Sequence, residues 1–429
     1  MAHVLNIVYG STTVNLTSNG IDVMNYDLNG APGEQVTEEI ELRIVGSSAS
    51  DLSGKIATVQ KAIEQARRYS SERIGDRVYL SLKPDGYASA YKSEVLDAML
   101  TPFEDVLKSR SFTQKYTAGY RLVATRRAFW QGEAVQLKIS NSNGTDNTAG
   151  LNVYNCNDGA GTAPTKRNNY FDVSGSLIGG DLPAAVKIEM LNSSGAAFAV
   201  GNLWIGGNDY GKYSCYDDIG DTSDATASGG KFARKELSST WGAINGAKYP
   251  EDVYIAYGKQ RIGILCRFNA KPPANTRGYA AMYLTPYKSE EFYLDTATKL
   301  QLIGIYQPRY TEAPGFIYLG CKNDWGGNLD VDYFTYIPMG NYSRVVASSA
   351  RVDDACWFVY DTSLMPDPIC YYDANAHPIN YYPAYGTGVF LAPGKDHRLT
   401  LHWDTNTGDC EIDKYFAVKL YYYPRRRTL

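Results

Sequence analysis

Histidine is scarce in this chain, with only His3, His377, His397 and His402 among 429 residues. His397 and His402 fall five apart in one expected strand. An odd offset puts them on opposite faces, so they cannot share a metal unless the strand bulges. That scarcity, with no GxSxG elbow, argues against a nucleophilic triad. Seven cysteines (Cys156, Cys215, Cys266, Cys321, Cys356, Cys370, Cys410) are widely spaced, odd in number and free of any CxxC. Neither a zinc site nor a disulfide framework is indicated. The formal net charge of −4 leaves no basic footprint for nucleic acid. The one basic run, Arg425-Arg426-Arg427, reads as a solvated tail. No stretch approaches the roughly 18 apolar residues of a membrane span, and no N-terminal segment resembles a signal peptide. Assembly in a reducing cytoplasm is the expectation.

Long helical periodicity is also lacking, except in one place. Residues 36–69, VTEEIELRIVGSSASDLSGKIATVQKAIEQARRY, carry the cleanest pattern in the chain. Ile40, Leu42 and Ile44 alternate with Glu39, Glu41 and Arg43, the period of a strand with one buried and one charged face. A Gly46-Ser47-Ser48 turn follows, with Ser50 or Asp51 placed to cap a helix. Leu52, Ile56, Val59, Ile63 and Ala66 then recur at intervals of four and three, one apolar stripe of a helix over 51–69.

Tyrosine is abundant: 36 against 13 phenylalanines. Tyr suits half-exposed strands and interfaces because its ring can be buried while its hydroxyl stays wet. Residues 4–30 read as a hairpin, 76–82 as a strand ended by Pro84-Asp85-Gly86, and 91–100 and 115–125 as further strands. This first section closes near residue 130, a strand-rich layer with one helix against it. Between 151 and 345, short apolar runs are spaced by Gly, Pro, Asn and Asp, as in a β-sandwich or jelly roll. Within them, 206–246 reads as a long surface loop. A last strand series runs from about 346 to Pro424.

The early hairpin, the strand 36–45, the helix 51–69, the strand 77–82 and the junction RRAFWQGEAVQL at 126–137 resemble the tail-tube and distal-tail group of tailed-phage proteins. The segments FLAPGKDHRLTLHWD and YYYPRRRTL resemble that group's closing strands. The resemblance implies a mainly β chain: a tail-tube-like β-sandwich with one flanking helix, followed by β-sandwich and jelly-roll domains. It divides the chain into a ring-forming domain at 1–130, a discontinuous C-terminal sandwich at 131–149 and 346–429, and an inserted domain at 150–345. The insert resembles a carbohydrate-binding-module-like jelly roll, with GGDLPAAVKIEML and GNLDVDYFTYIPM as its most characteristic strands.

Several residue groups invite chemistry. Gly206 to Lys212 spells GxxxxGK, but Tyr213 stands where a phosphate loop needs Ser or Thr and no helix pattern follows, so a glycine-rich loop is the better reading. Asp330 and Asp332 share a strand face with Asn328 in phase, an oxygen-rich set that could take calcium or simply face solvent. Trp325, beside Gly326-Gly327, is the best exposed aromatic for stacking a sugar, against the plainer reading of a core or interface tryptophan. Under the resemblance, Glu39, Glu41 and Arg43 face a lumen or a neighbouring subunit; otherwise they form a solvated sheet face.

The resulting expectation is a non-enzymatic structural protein of a virion tail, assembled in the host cytoplasm. It needs no cofactor, forms a ring or tube of its own copies, and meets other tail proteins. DNA passes through it without specific binding, host surface glycans are a further partner, and it does not insert into membranes. The rival readings are a carbohydrate-binding adhesin or lectin, and a glycan-cleaving enzyme.

Overall fold

The first strands are β1 (Val4–Tyr9), β2 (Thr12–Asn15), β3 (Ile21–Tyr26) and β4 (Gln35–Val45). The helix α1 (Ala49–Glu72) follows, then β5 (Val78–Lys83), β6 (Tyr91–Pro102), β7 (Thr117–Arg127) and the short β8 (Trp130–Gln131). All pair antiparallel, in two sheets that share the long β6: β2-β1-β5-β6 and β3-β4-β7-β6. In this computed structural model, residues 3–26, 34–102, 116–145, 149–156, 167–208, 222–248, 261–282, 287–307, 316–364, 368–405 and 407–429 are described. The fold is mainly β with one long helix, as the sequence patterning predicts, and 91–100 is strand. Among the described residues no helix is long and apolar enough to cross a membrane.

The α1 stripe buries Val59, Ala62, Ile63 and Ala66, with Leu52 and Ile56 half-buried at its start. They pack on Ile7, Val78, Leu80, Val95, Ala98, Leu122 and Ala124 from the two sheets. The cap is Ser48, two residues before Ser50 and three before Asp51, the candidates the spacing suggested. Ser48 Oγ accepts from the Asp51 amide at 3.1 Å, while Asp51 Oδ2 accepts from the Ser47 amide at 2.7 Å. Asp51 is thus the helix's first-turn acid, not its cap, and Lys55 Nζ ties it at 3.0 Å. Ser48→Ala removes an acceptor that orphan helix N–H groups need and should cost about 1 kcal/mol in urea unfolding.

Met1–Ala134, Gly180–Leu182 and Tyr423–Leu429 form one compact unit; Val135–Gly179 with Pro183–Tyr422 form a second. The end of the last strand, Tyr415–Arg426, pairs with β8 in the first unit. The terminal arginines are therefore not a free tail. Arg425 stacks over Phe129 at 4.2 Å and donates to Gln131 Oε1 at 3.1 Å, and the Arg427 amide donates to Asp181 at 3.1 Å.

The second unit holds two apolar cores. In the larger, Phe171, Phe198, Phe358, Phe416 and Trp403 fill the space between two sheets. One sheet carries Leu182–Asn192, Trp357–Asp361, Ile369–Tyr372 and the bulk of Tyr415–Arg426; the other carries Tyr170–Val173, His397–Trp403, Phe198–Asn208 and Tyr342–Val352. The resemblance placed 150–345 in the insert, yet Lys187 pairs Asp361 and Leu203 pairs both Trp403 and Val345. Alternation marks a strand but carries no information about its partner, and the strands Leu151–Tyr154, Tyr170–Val173, Leu182–Asn192 and Phe198–Asn208 pair with the sandwich instead.

The smaller core packs Phe268, Tyr306, Phe334 and Tyr336 between a sheet containing Lys231–Glu236, Asn328–Pro338, Ile262–Phe268 and Leu300–Tyr306, and a sheet of Gly242–Lys248, Phe316–Lys322, Arg277–Met282 and Phe292–Tyr293. The stretch read as a surface loop supplies two of these strands, Lys231–Glu236 and Gly242–Lys248. Its Gly, Ser and Asp content hid short strands whose apolar residues are few. The insert leaves and rejoins the sandwich at neighbouring strands: Gly206 is the register partner of Tyr342, and the Gly207 amide donates to Asn341 O at 2.9 Å.

Candidate functional site

The alternation in β4 sends Ile40, Leu42 and Ile44 into the core and leaves Thr37, Glu39, Glu41 and Arg43 on the outer face. Cross-strand partners complete that face. Thr37 and Thr125 share a hydroxyl hydrogen bond at 2.9 Å. Arg121 on β7 reaches Glu39 at 3.4 Å and Glu41 at 3.8 Å, and Arg43 grips Asp22 on β3 at 2.7 Å. Val123 lies in register with Glu39, and on its other side with Met99, which is 54% exposed. Exposed ion pairs of this kind contribute only about 0–1 kcal/mol each. The row therefore adds little to stability, while it presents ordered, alternating charge to whatever lies outside it.

Behind this face is a buried group that alternation counting missed. Glu38 points inward, where the Arg126 guanidinium meets it, and Tyr26 donates its hydroxyl to Glu38 Oε2 at 2.8 Å. Arg126 is fully buried, stacks over Trp130 at 4.3 Å and donates to Arg127 O at 2.8 Å. Burial, and then the Glu38 charge, push the Tyr26 phenol well above its ordinary range. The available signal was phase: Glu38 shares the inward phase of Ile40, and Arg126 that of Leu122 and Ala124.

Asp330 and Asp332 each face a guanidinium. Arg234 clasps Asp330 through two bonds of 2.8 Å, and Arg267 reaches Asp332 at 3.1 Å. Asn328 lies exposed at the strand's start. The positive charge those carboxylates meet comes from protein side chains. Among the described residues no cluster of three His, Cys, Asp or Glu could hold a metal.

The Asp332–Arg267 pair sits in the seam between the two cores of the second unit. The Ser228 amide donates to Asp332 Oδ1 at 2.8 Å, and Arg267 donates to Ser228 Oγ at 3.0 Å and Cys410 O at 3.3 Å. Next to them the Tyr333 hydroxyl meets His402 Nδ1 at 3.0 Å. Trp204, Leu265, Leu300, Ile337 and Cys410 form the apolar part of the same seam. His402 is buried, and desolvation with the Arg267 charge lowers its pKa to about 3. Desolvation raises Asp332 to about 6.

Trp325 is 76% exposed in the turn after Phe316–Lys322, held by its amide donating to Asn323 Oδ1 at 3.0 Å. The GxxxxGK run from Gly206 passes beyond Asn208 into 209–221, outside the described residues. Among the described residues six cysteines are buried and form no disulfide; Cys215 lies outside them.

No family model and no curated protein sequence matches the chain. Among solved structures, a chain of the phage p2 baseplate in its activated conformation with Ca is similar at 9% identity and a TM-score of 0.34, covering 100% of both chains. A chain of the phage p2 baseplate in its activated conformation with Sr is similar at 8% identity and a TM-score of 0.24, covering 94% of this chain and 98% of that one.

Proposed function

We propose that the chain is a structural component of a phage tail, whose first unit assembles with its own copies into a ring or tube around the DNA channel. The observation that carries this reading is the outer face of β4 and β7. It is a regular row of Thr37, Glu39, Glu41, Arg43 and Arg121 that reaches solvent and is worth little to its own fold. It adjoins β3, which pairs only with β4 among the described residues. A strand with one open edge offers unpaired backbone N–H and C=O groups to another subunit. On this face the acids Asp22, Glu39, Glu41 and Glu94 are each met by Arg43, Arg121 or Arg127. DNA binds where Lys and Arg neutralise phosphate, so a face whose arginines are already paired with acids suits passage without adhesion. The second unit serves docking or decoration in this reading.

The test is assembly. Purified protein should form rings or short tubes by light scattering and negative-stain electron microscopy. Glu39→Lys with Glu41→Lys should keep the circular-dichroism spectrum and shift the melting temperature little, since both side chains reach solvent. The same variant should assemble less. A chain that stays monomeric at high concentration, or a variant that assembles as well as the parent, overturns the reading.

A further inference from the structure

The insert's four-stranded sheet turns one face to its core and the other to solvent. Ile244, Leu319, Cys321, Ala280 and Met282 point inward, so their strand neighbours Ala243, Tyr318, Gly320, Lys322 and Tyr279 point out. On that outer face Tyr279 lies across Gly320, its register partner. A Cβ at Gly320 would overlap the Tyr279 ring, so the glycine is what allows the ring to lie flat on the strand. Trp241 meets Tyr279 edge-on at 4.8 Å, and Tyr318 meets it at 6.2 Å. Three aromatic rings are thus gathered on a solvent-facing sheet.

Two lysines converge on the rings. Lys288, bridged to Ala281, places Nζ 3.9 Å from the Tyr279 centroid, and Lys322 places Nζ 4.8 Å from that of Trp241. Neither makes an ion pair with a described carboxylate. The third cation of the face, Arg277, does have one, Asp324 at 3.4 Å. Two ammonium groups are thus held over aromatic faces with no carboxylate of the described residues paired to them.

We propose that this face binds an anionic polysaccharide, with a sugar ring on Trp241 and its carboxylate or phosphate on Lys288 and Lys322. Indole and phenol faces take the C–H side of a pyranose, and ammonium groups take the charge. Nucleic acid fits less well. It needs a continuous basic track, whereas Glu290 and Glu291 follow Lys288 and Asp324 follows Lys322 closely in the chain, with Asp324 already pairing Arg277. The site is independent of the assembly reading, which neither requires it nor uses its residues.

The experiment is calorimetric titration of the whole chain with oligogalacturonate, which offers carboxylates, and with a phosphomannan, which offers phosphates on pyranose rings. Neutral dextran and single-stranded DNA run beside them. At least one anionic glycan polymer should bind, weakening as salt rises, and dextran should not. Lys288→Gln with Lys322→Gln should weaken binding by about tenfold or more, and Trp241→Ala likewise, each with an unchanged circular-dichroism spectrum. Preference between oligogalacturonate and phosphomannan identifies the anionic group. Binding of neither polymer, equal binding of dextran, tighter binding of DNA, or an undiminished lysine variant overturns the proposal. Ring formation, measured separately, is expected to survive all three substitutions.

Discussion

Arg126→Met should destabilise the first unit by about 3–5 kcal/mol, the cost of leaving a buried charge without its partner. Glu38 is 5% exposed and would keep only the Tyr26 hydroxyl. The stacking of the guanidinium on Trp130 would go as well, removing the cover from one face of a fully buried indole. The double variant Arg126→Met with Glu38→Gln should recover most of the loss, because a neutral amide still accepts from Tyr26 and no charge is stranded. Urea denaturation followed by tryptophan fluorescence measures all three proteins. A single variant that loses less than about 1 kcal/mol would mean that water reaches Glu38.

Asp332→Asn should cost the second unit a similar amount, again about 3–5 kcal/mol, by stranding Arg267 in the seam. It should also change how the unit responds to acid. His402 stays neutral when folded down to about pH 3, whereas unfolded it takes up a proton below its usual 6.5, so its contribution is lost as pH falls through that window. Asp332 has the opposite sign. Its folded pKa of about 6 exceeds the usual 3.8, so the folded state binds the proton first and gains stability as pH falls from about 6 to 3.8. In the parent the two nearly offset each other, with a net loss below about 1 kcal/mol between pH 7 and 5. With Asp332 gone the histidine acts alone, and the variant should lose about 2 kcal/mol over the same interval. Melting curves at pH 7, 6 and 5 give the comparison; parallel curves for parent and variant would show that His402 does not carry the acid response.

These two pairs also mark where sequence reading stopped. The strand over 36–45 and the helix after it were legible because each depends on spacing within a few residues. Glu39, Glu41 and Arg43 lie outside as their phase required. Glu38 carries the inward phase of Ile40, but an acid in that phase has no reading until the partner strand supplies Arg126. Asp330 and Asp332 have the oxygen-rich spacing of a cation site, but Arg234 and Arg267 come from distant segments and only the folded chain brings them near. The same limit applies to the aromatic face. Trp241, Tyr279, Lys288, Gly320 and Lys322 belong to four separate segments, and the one local clue was a glycine inside an apolar strand. The turn-borne Trp325 drew notice instead because its glycine neighbours signalled exposure.

The place where the insert joins the sandwich has a consequence for the history and engineering of the chain. Gly206 and Tyr342 sit opposite one another in adjacent strands, so the whole insert occupies the position of a hairpin turn. Closing a long loop costs only slightly more entropy than closing a short one, which makes the length of that turn nearly immaterial to the strands beneath it. The module is therefore exchangeable: a short turn, or a different domain with closely spaced ends, can be spliced at this point without altering the register below. Any such graft inherits one obligation. Trp204 and His402 on the sandwich side would lose their cover, and the replacement must either cap them or come with polar substitutions that let them meet water.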